Sequence, residues 1–187
     1  MAPENRFHIL CVCTGNVCRS PAAERLLSQG LGAGVEVSSA GTHALVGQSV
    51  SPPTGALLAG AGADPAGFTA RRLTVRLLQP VDLVLALTRA HRGDVVELWP
   101  KVVRRTFTLK EFARLLDEMD SAVLPQGPPE MRLRAAVPLA ASRRHQVTDT
   151  RLDDVIDPYQ QSTQLHQEAF SDIRQAVTAI VSVIRPE

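Results

Sequence analysis

Residues 7–21 read FHILCVCTGNVCRSP. Phe7 to Val12 is a short apolar run of β-formers, and Thr14-Gly15-Asn16 behind it is turn chemistry. The stretch therefore reads as a buried strand that opens into a loop. Pro21 fits the first turn of a following helix, where its missing N–H costs no hydrogen bond. AAERLLSQGL (22–31) continues that helix until Gly30 and Gly32 stop it. Val35 to Ser38 supplies a second short strand. Strand, loop, helix, strand within forty residues is one βαβ unit, which implies a parallel sheet.

The alternation continues more weakly. PPTGALLAGAGA (52–63) reads as helix, VDLVLALT (81–88) as a continuously apolar buried strand, and Ala90 to Leu98 as helix. RRTFTLKEFARLLDEMD (104–120) predicts a short strand and then a helix, with Thr108 as N-cap and Glu111 three residues on. SAVLPQGPPEMRLRAAVPLAASRRHQ (121–146) is rich in Pro, Ala and Arg without a sustained period, and reads as a loop, partly mobile. From Ser162 to Ile184 apolar residues recur at helical spacing: Leu165, Ala169, Phe170, Ile173, Ala176, Val177, Ile180, Val181 and Ile184. The length of 187 residues suits one domain, 1–187, able to bury a core.

A net charge of +1 gives no bulk field toward nucleic acid or an anionic membrane, so neither is expected as a partner. The start, MAPENRFHILCVC, lacks the charged region of a secretion signal, and no apolar run reaches membrane-spanning length. The only three cysteines lie within eight residues, which is no disulfide framework. These features predict a cytoplasmic protein with buried or reactive thiols.

Three readings compete for Cys11, Cys13 and Cys18. A zinc site wants a fourth ligand, and usually two spaced pairs. No second pair exists, and His8, His43, His91, His145 and His166 are scattered singly. A plain core reading suits Cys11, inside the strand run. It suits Cys13 less, because Cys13 stands where the strand ends, and ligands bind at the ends of parallel strands. The third reading uses more residues. Cys13 and Arg19 are separated by five residues, with Ser20 and Pro21 next. A loop of that length between strand and helix can wrap a phosphate with its amides, aided by the helix dipole. Arg19 adds a planar fork for two phosphate oxygens, and the same field favours a thiolate at Cys13. Gly15 lets the backbone turn, Asn16 can hold the loop by side-chain hydrogen bonds, and Ser20 can hydrogen-bond the sulfur. No Gly-Lys-Ser/Thr follows, so this is not a Walker loop.

A cysteine that accepts a phosphoryl group needs a proton donor for the leaving oxygen. DDVIDPY (153–159) supplies candidates. Crowded acids favour retention of a proton, and Pro158 biases Asp157 toward an extended backbone. Asp153 and Asp154 read as part of a solvated acidic loop.

CVCTGNVCRSP (11–21), SSAGT (38–42) and IDPYQQS (156–162) resemble the low-molecular-weight protein tyrosine phosphatase family, over roughly 6–98 and 151–185. The resemblance implies an α/β fold: a single-domain three-layer α/β/α sandwich with a central four-stranded parallel sheet, phosphotyrosine phosphatase I-like. It implies Cys13 as nucleophile, Arg19 as phosphate clamp, and Asp157 as general acid and then base for hydrolysis of a phosphocysteine. Thr14, Gly15, Asn16, Val17, Cys18 and Ser20 would form the substrate loop. Cys18 would also be the redox partner of Cys13 in a reversible disulfide. The family needs no metal and no cofactor. Its substrates are phosphotyrosine proteins or small phosphomonoesters.

Three features depart from the family pattern. GTHALVGQS (41–49) has no aromatic to stack on a substrate ring, and Leu45 stands about where one is sought. Bacterial phosphatases linked to exopolysaccharide kinases also carry Ala-Leu-Val-Gly there. Tyr159 could form one wall instead, while Gln160 replaces the Gly or aromatic often found after Asp-Pro-Tyr. An insert at roughly 100–150 makes the chain about thirty residues longer than the short family form. It is expected either to overhang the cleft, bringing Arg132, Arg134, Arg143 or Arg144 to an acidic partner, or to be a solvated loop.

Two other functions fit the loop. An arsenate reductase would bind arsenate there. The thioredoxin-dependent kind needs two further cysteines, absent here, but a kind using an external small thiol does not. Asp157 favours ester cleavage, because arsenate reduction has no ester leaving group to protonate. A non-catalytic phosphate or phosphopeptide binder would be expected to lack the nucleophile or the acid, and both are present.

Overall fold

A computed structural model of the chain describes residues 6–144 and 151–185. The leader reading at residues 1–5, His145, and the end of the insert fall outside the described residues. The order is β1 (Phe7–Cys13), α1 (Arg19–Leu31), β2 (Val35–Gly41), α2 (Pro52–Gly60), α3 (Val75–Leu78), β3 (Leu83–Ala86), α4 (Arg89–Leu98), a 3₁₀ segment (Pro100–Arg105), β4 (Thr106–Thr108), α5 (Leu109–Asp117), α6 (Pro129–Arg143) and α7 (Thr163–Ile184).

The four strands form one parallel sheet in the order β2-β1-β3-β4. Alternation along β1 divides the apolar interior. Phe7, Ile9, Cys11 and Cys13 face the larger layer with Leu27, Phe112, Phe170 and Ile180, while Leu10 and Val12 face the smaller layer with Val84, Val95 and Val102. Each large side chain buried this way is worth about 1.5–3 kcal/mol. Cys11 is thus a core residue, as its place in the strand predicts. Because β1 lies between β2 and β3, the order in which the strands are wound reverses beside it, and the crevice at its carboxyl end receives the loop 14–18.

Helix ends follow their local chemistry. Thr108 and Glu111 form a reciprocal capping box at α5. Gly32, at φ 79°, ends α1 as expected. Gly30 does not stop the helix; it lies inside α1 against α7, where a Cβ would come within 2.5 Å of Val181 Cγ2. Its small size sets how closely the two helices pack.

The segment 121–146, expected as a loop, contains the fifteen-residue helix α6. Its buried residues, Arg132, Leu133, Ala136, Val137 and Ala140, do recur at helical spacing. Most are small, and Pro138 falls in the middle, so the stripe has little hydropathy contrast. Its arginines do not overhang the cleft. Arg132 is buried and donates to the carbonyls of Pro125 (2.8 Å) and Val183 (2.9 Å). Arg134 lies over the Phe7 ring and binds Asp82 and the Arg6 carbonyl, at the end of the sheet away from the loop. Arg143 points at the Glu118 carbonyl. Arg144 pairs with Glu111, donates to the Thr106 carbonyl and stacks on Phe107 at 4.2 Å. These side chains are consumed in stapling α6 to its neighbours rather than offered to a partner.

Candidate active site

Cys13 is the last residue of β1. Beyond it the carbonyls of Cys13, Thr14, Gly15 and Val17 accept hydrogen bonds from the amides of Thr42, His43, Leu45 and Ser51, at 2.8–3.0 Å. This ladder fixes the outer rim of the loop. Among the described residues, no amide from Thr14 to Cys18 has a protein acceptor. Unpaired donors converging at a helix N-terminus make an anion site.

Asn16 holds the inside of the loop. It is fully buried at φ 57°, a left-handed backbone that Asn tolerates better than most residues. Its Oδ1 accepts from the Arg71 amide (2.9 Å), which fixes the amide orientation. Its Nδ2 donates to Ser20 Oγ (2.9 Å) and Ser39 Oγ (2.8 Å). Ser39 in turn donates to Glu24 at 2.6 Å, and burial pushes the Glu24 carboxyl above its usual range. Ser20 Oγ lies 2.9 Å from Cys13 Sγ. Because Ser20 already accepts from Asn16, its own proton is free to point at the sulfur.

Arg19 is 4% exposed. Its Nη1 donates to the Val155 carbonyl (3.3 Å), and its Nη2 lies 2.6 Å from Asp157 Oδ2. Asp157 is half exposed, and its Oδ1 accepts the Tyr159 amide at 3.1 Å. A cavity of about 120 Å³ is lined by Cys13 and the loop 14–19, with His43, Leu45, Asp157 and Tyr159 at its walls. Of the residues expected at the site, all but Ser20 line this cavity; Ser20 acts from behind the sulfur. A larger groove of about 680 Å³ between α1 and α7, lined by Leu26, Val177 and Val181, carries no cysteine, histidine or carboxylate. Chemistry, not volume, assigns the site.

The acids differ from expectation. Asp153 is buried against Arg114, and Asp154 pairs with Arg89. With Asp157 on Arg19, each carboxylate has its own guanidinium, so the three do not act as one crowded cluster. Gln160 sits at φ 58°, which explains why glycine suits that position.

Two histidines that look incidental in the sequence are not. His91 bridges Thr14 Oγ1 (2.8 Å from Nε2) and Thr88 Oγ1 (2.9 Å from Nδ1). Burial, with Arg19 nearby, lowers its pKa to about 4, so it is neutral near pH 7. His166 ends a chain of hydroxyls: the Cys18 thiol donates to Ser51 (3.1 Å), Ser51 to Thr54 (3.0 Å), and Thr54 Oγ1 lies 3.4 Å from His166 Nδ1. Burial raises the Cys18 pKa and lowers that of His166. The one sequence signal for His91 was Thr88, an N-cap three residues before it. Among the described residues, no three His, Cys, Asp or Glu converge as metal ligands. None of the helices described there is long and apolar enough to cross a membrane.

Comparison with known proteins agrees with this geometry. The sequence profile of the low molecular weight phosphotyrosine protein phosphatase family matches residues 8–125. The low molecular weight protein-tyrosine-phosphatase Etp of Escherichia coli is 41% identical over 98 residues, 52% of this chain and 66% of that protein, just under two thirds of its length. A protein-arginine-phosphatase of Geobacillus stearothermophilus is 40% identical over 106 residues, 57% of this chain and 71% of that protein. The solved structure of the YwlE arginine phosphatase from Geobacillus stearothermophilus superposes with a TM-score of 0.70 at 28% identity, covering 94% of this chain and 91% of the other. With the four-stranded parallel sheet and the loop at its switch point, these matches place the chain in the low molecular weight phosphotyrosine protein phosphatase family.

Proposed function

We propose that this protein is a cysteine-dependent phosphatase that hydrolyses phosphomonoesters, protein phosphotyrosine foremost, through a phosphocysteine on Cys13. One observation carries the reading: Cys13, braced by Ser20, shares a cavity with the Arg19–Asp157 pair. A phosphate entering the cavity meets the free amides of residues 14–18. Arg19 then exchanges its Asp157 partner for two phosphate oxygens, and stabilises the charge that builds as sulfur attacks phosphorus. Released, Asp157 takes up a proton from solvent beside the bound phosphate dianion, passes it to the leaving oxygen, and later takes a proton from the water that cleaves the S–P bond. Val17, Leu45 and Tyr159 give apolar walls for an aromatic ring, supporting phosphotyrosine over a charged guanidinium phosphate. Cys18 is the resolving thiol of a disulfide with Cys13, which spares the nucleophile from irreversible oxidation. In this reading residues 1–187 act as one domain in the cytoplasm, whose reducing conditions return Cys13 and Cys18 to the free thiols seen in the structure.

Turnover of para-nitrophenyl phosphate tests the reading. Wild type should be active, Cys13→Ser should lose at least about 10⁴-fold, and Asp157→Ala about 10²-fold or more. An inert wild type, or an active Cys13→Ser, overturns it.

A further inference from the structure

The start of α4 touches both halves of the site. On one side, His91 reaches Thr14, the residue after the nucleophile, and its ring is braced at the other nitrogen by Thr88. Thr88 caps the same helix and accepts the His91 amide at 3.2 Å. On the other side, the Arg89 amide donates to Asp154 Oδ1 at 2.7 Å, and the Arg89 side chain closes on the same carboxylate at 3.3 and 3.4 Å. Asp154 lies three residues before Asp157. Leu87 completes the junction: its amide donates to the Val12 carbonyl (2.8 Å), and its carbonyl accepts the Val155 amide (2.9 Å). One short segment therefore holds the residues flanking Cys13 and those leading to Asp157.

The geometry points to residues Leu87–His91 as a gauge that sets the spacing between the nucleophile loop and the acid loop, with His91 and Arg89 as positioning residues acting through Thr14 and Asp154. This rests on the phosphatase reading above. Neither side chain lines the cavity, so neither is a catalytic residue. His91 suits the task because a neutral ring offers one donor and one acceptor, which two hydroxyls can satisfy together. Arg89 suits it because the helix N-terminus already favours the Asp154 carboxylate, and the guanidinium adds a second grip.

The two arms act on different steps. The His91 arm shapes the anion cradle, so its loss weakens phosphate binding. The Asp154 arm aims the proton donor, so its loss weakens protonation of the leaving group. A poor leaving group such as phenolate depends on that proton far more than para-nitrophenolate does. A merely structural role would lower both substrates and both parameters alike.

The test uses the full chain and variants His91→Ala, His91→Gln, Asp154→Ala and Asp154→Asn. Turnover is measured on phenyl phosphate and para-nitrophenyl phosphate, and inorganic phosphate binding by calorimetry. His91→Ala should weaken phosphate about tenfold, the size of one lost hydrogen bond, and His91→Gln, which keeps an amide donor near the position of Nε2, should recover most of it. Asp154→Ala should leave phosphate affinity within about twofold yet lower kcat on phenyl phosphate about tenfold more than on para-nitrophenyl phosphate. Asp154→Asn, which still accepts from the Arg89 amide, should fall between. Unchanged phosphate affinity in His91→Ala, or equal loss on both substrates in Asp154→Ala, overturns the gauge. An inert wild type overturns the phosphatase reading instead, while calorimetry, which needs no turnover, still decides the His91 arm. If His91→Ala fails to fold, His91→Asn, whose shorter amide cannot reach Thr14, replaces it; a His91→Gln variant that binds phosphate no more tightly than His91→Asn overturns the gauge as well.

Discussion

The Cys13 loop and the Asp157 loop, proposed as nucleophile loop and acid loop, face each other across the cavity and are built by opposite rules. Residues 16–20 are all buried, four carbonyls of the stretch 13–17 are pinned to the neighbouring strand loop, and Asn16 fills the interior with three hydrogen bonds. The acid loop exposes Ile156, Asp157 and Tyr159, and is held by a few ties: Asp153 to Arg114, Asp154 to Arg89, and Val155 to Leu87 and Arg19. The difference fits the tasks proposed for them. A cradle stabilises developing charge without reorganising only if its donors are fixed beforehand. If Asp157 is the proton donor, as proposed, it must leave Arg19 when phosphate arrives, which calls for a tethered, adjustable arm.

Replacing the acid tests that contrast most directly. Asp157→Asn should lower kcat on phenyl phosphate by about 10²–10³-fold, the usual weight of a general acid. It should also tighten inorganic phosphate, because a neutral amide competes less for Arg19 and no longer repels the anion. Steady-state kinetics and calorimetry report the two effects. Weaker phosphate binding in this variant would mean that the arm supports the cradle rather than competing with it.

The cradle side breaks at Asn16. Asn16→Ala removes three buried hydrogen bonds and leaves a β-carbon in the left-handed region, so it should lose about 3 kcal/mol in urea unfolding. Asn16→Gly, free of the backbone strain, should lose about 1 kcal/mol less than Ala. A loss below about 1 kcal/mol for Ala would show the carbonyl ladder alone sufficient to hold the loop.

The same asymmetry decided what the sequence could reveal. The cradle is local: strand, turn residues and helix start lie within fifteen positions, and each residue type has a physical reason to be there. Asp157 was legible because Pro158 and Tyr159 mark it. The ties between the loops were not, since Thr14 and His91 are 77 positions apart and Arg89 and Asp154 are 65 apart. Neither pair leaves a periodic trace. Helix α6 was missed for a different reason: its buried stripe is largely Ala and Val, and Pro138 interrupts it, so neither period nor propensity stands out. The arginines of α6 looked available because charge is visible in a sequence, while the carbonyls that occupy them are not.

Acid should loosen the cradle side through His91. The free imidazole titrates near 6.5, and burial holds it to about 4 in the folded protein. Folded His91 resists a proton that the unfolded chain accepts. Its contribution to stability is therefore whole above about pH 6.5 and is lost as pH falls toward 4. Arg19 opposes the charge, whereas Asp94, Asp154 and Asp157 favour it. The full loss is about 3 kcal/mol at most. Urea unfolding of wild type and His91→Gln from pH 7 to 4 isolates this part, because shared carboxylate effects cancel. Parallel curves would exclude His91 as the sensor.

The smallest expected effect sharpens the acid side. Gln160 occupies φ 58° just beyond Asp157 and Tyr159, where a side chain costs about 1 kcal/mol relative to glycine. Glycine also gives the unfolded chain more freedom, which offsets part of the gain, so Gln160→Gly should change Tm by no more than about 2 °C. Activity is where the change should register. A freer backbone behind Asp157 widens the range of the arm, and the fraction of bound substrate with the carboxyl in line falls. Turnover of phenyl phosphate should drop about two- to threefold while para-nitrophenyl phosphate stays nearly constant. If both substrates hold their rates, the ties at Asp154 and Val155 alone aim the acid, and the strained residue after Tyr159 serves only to close the turn.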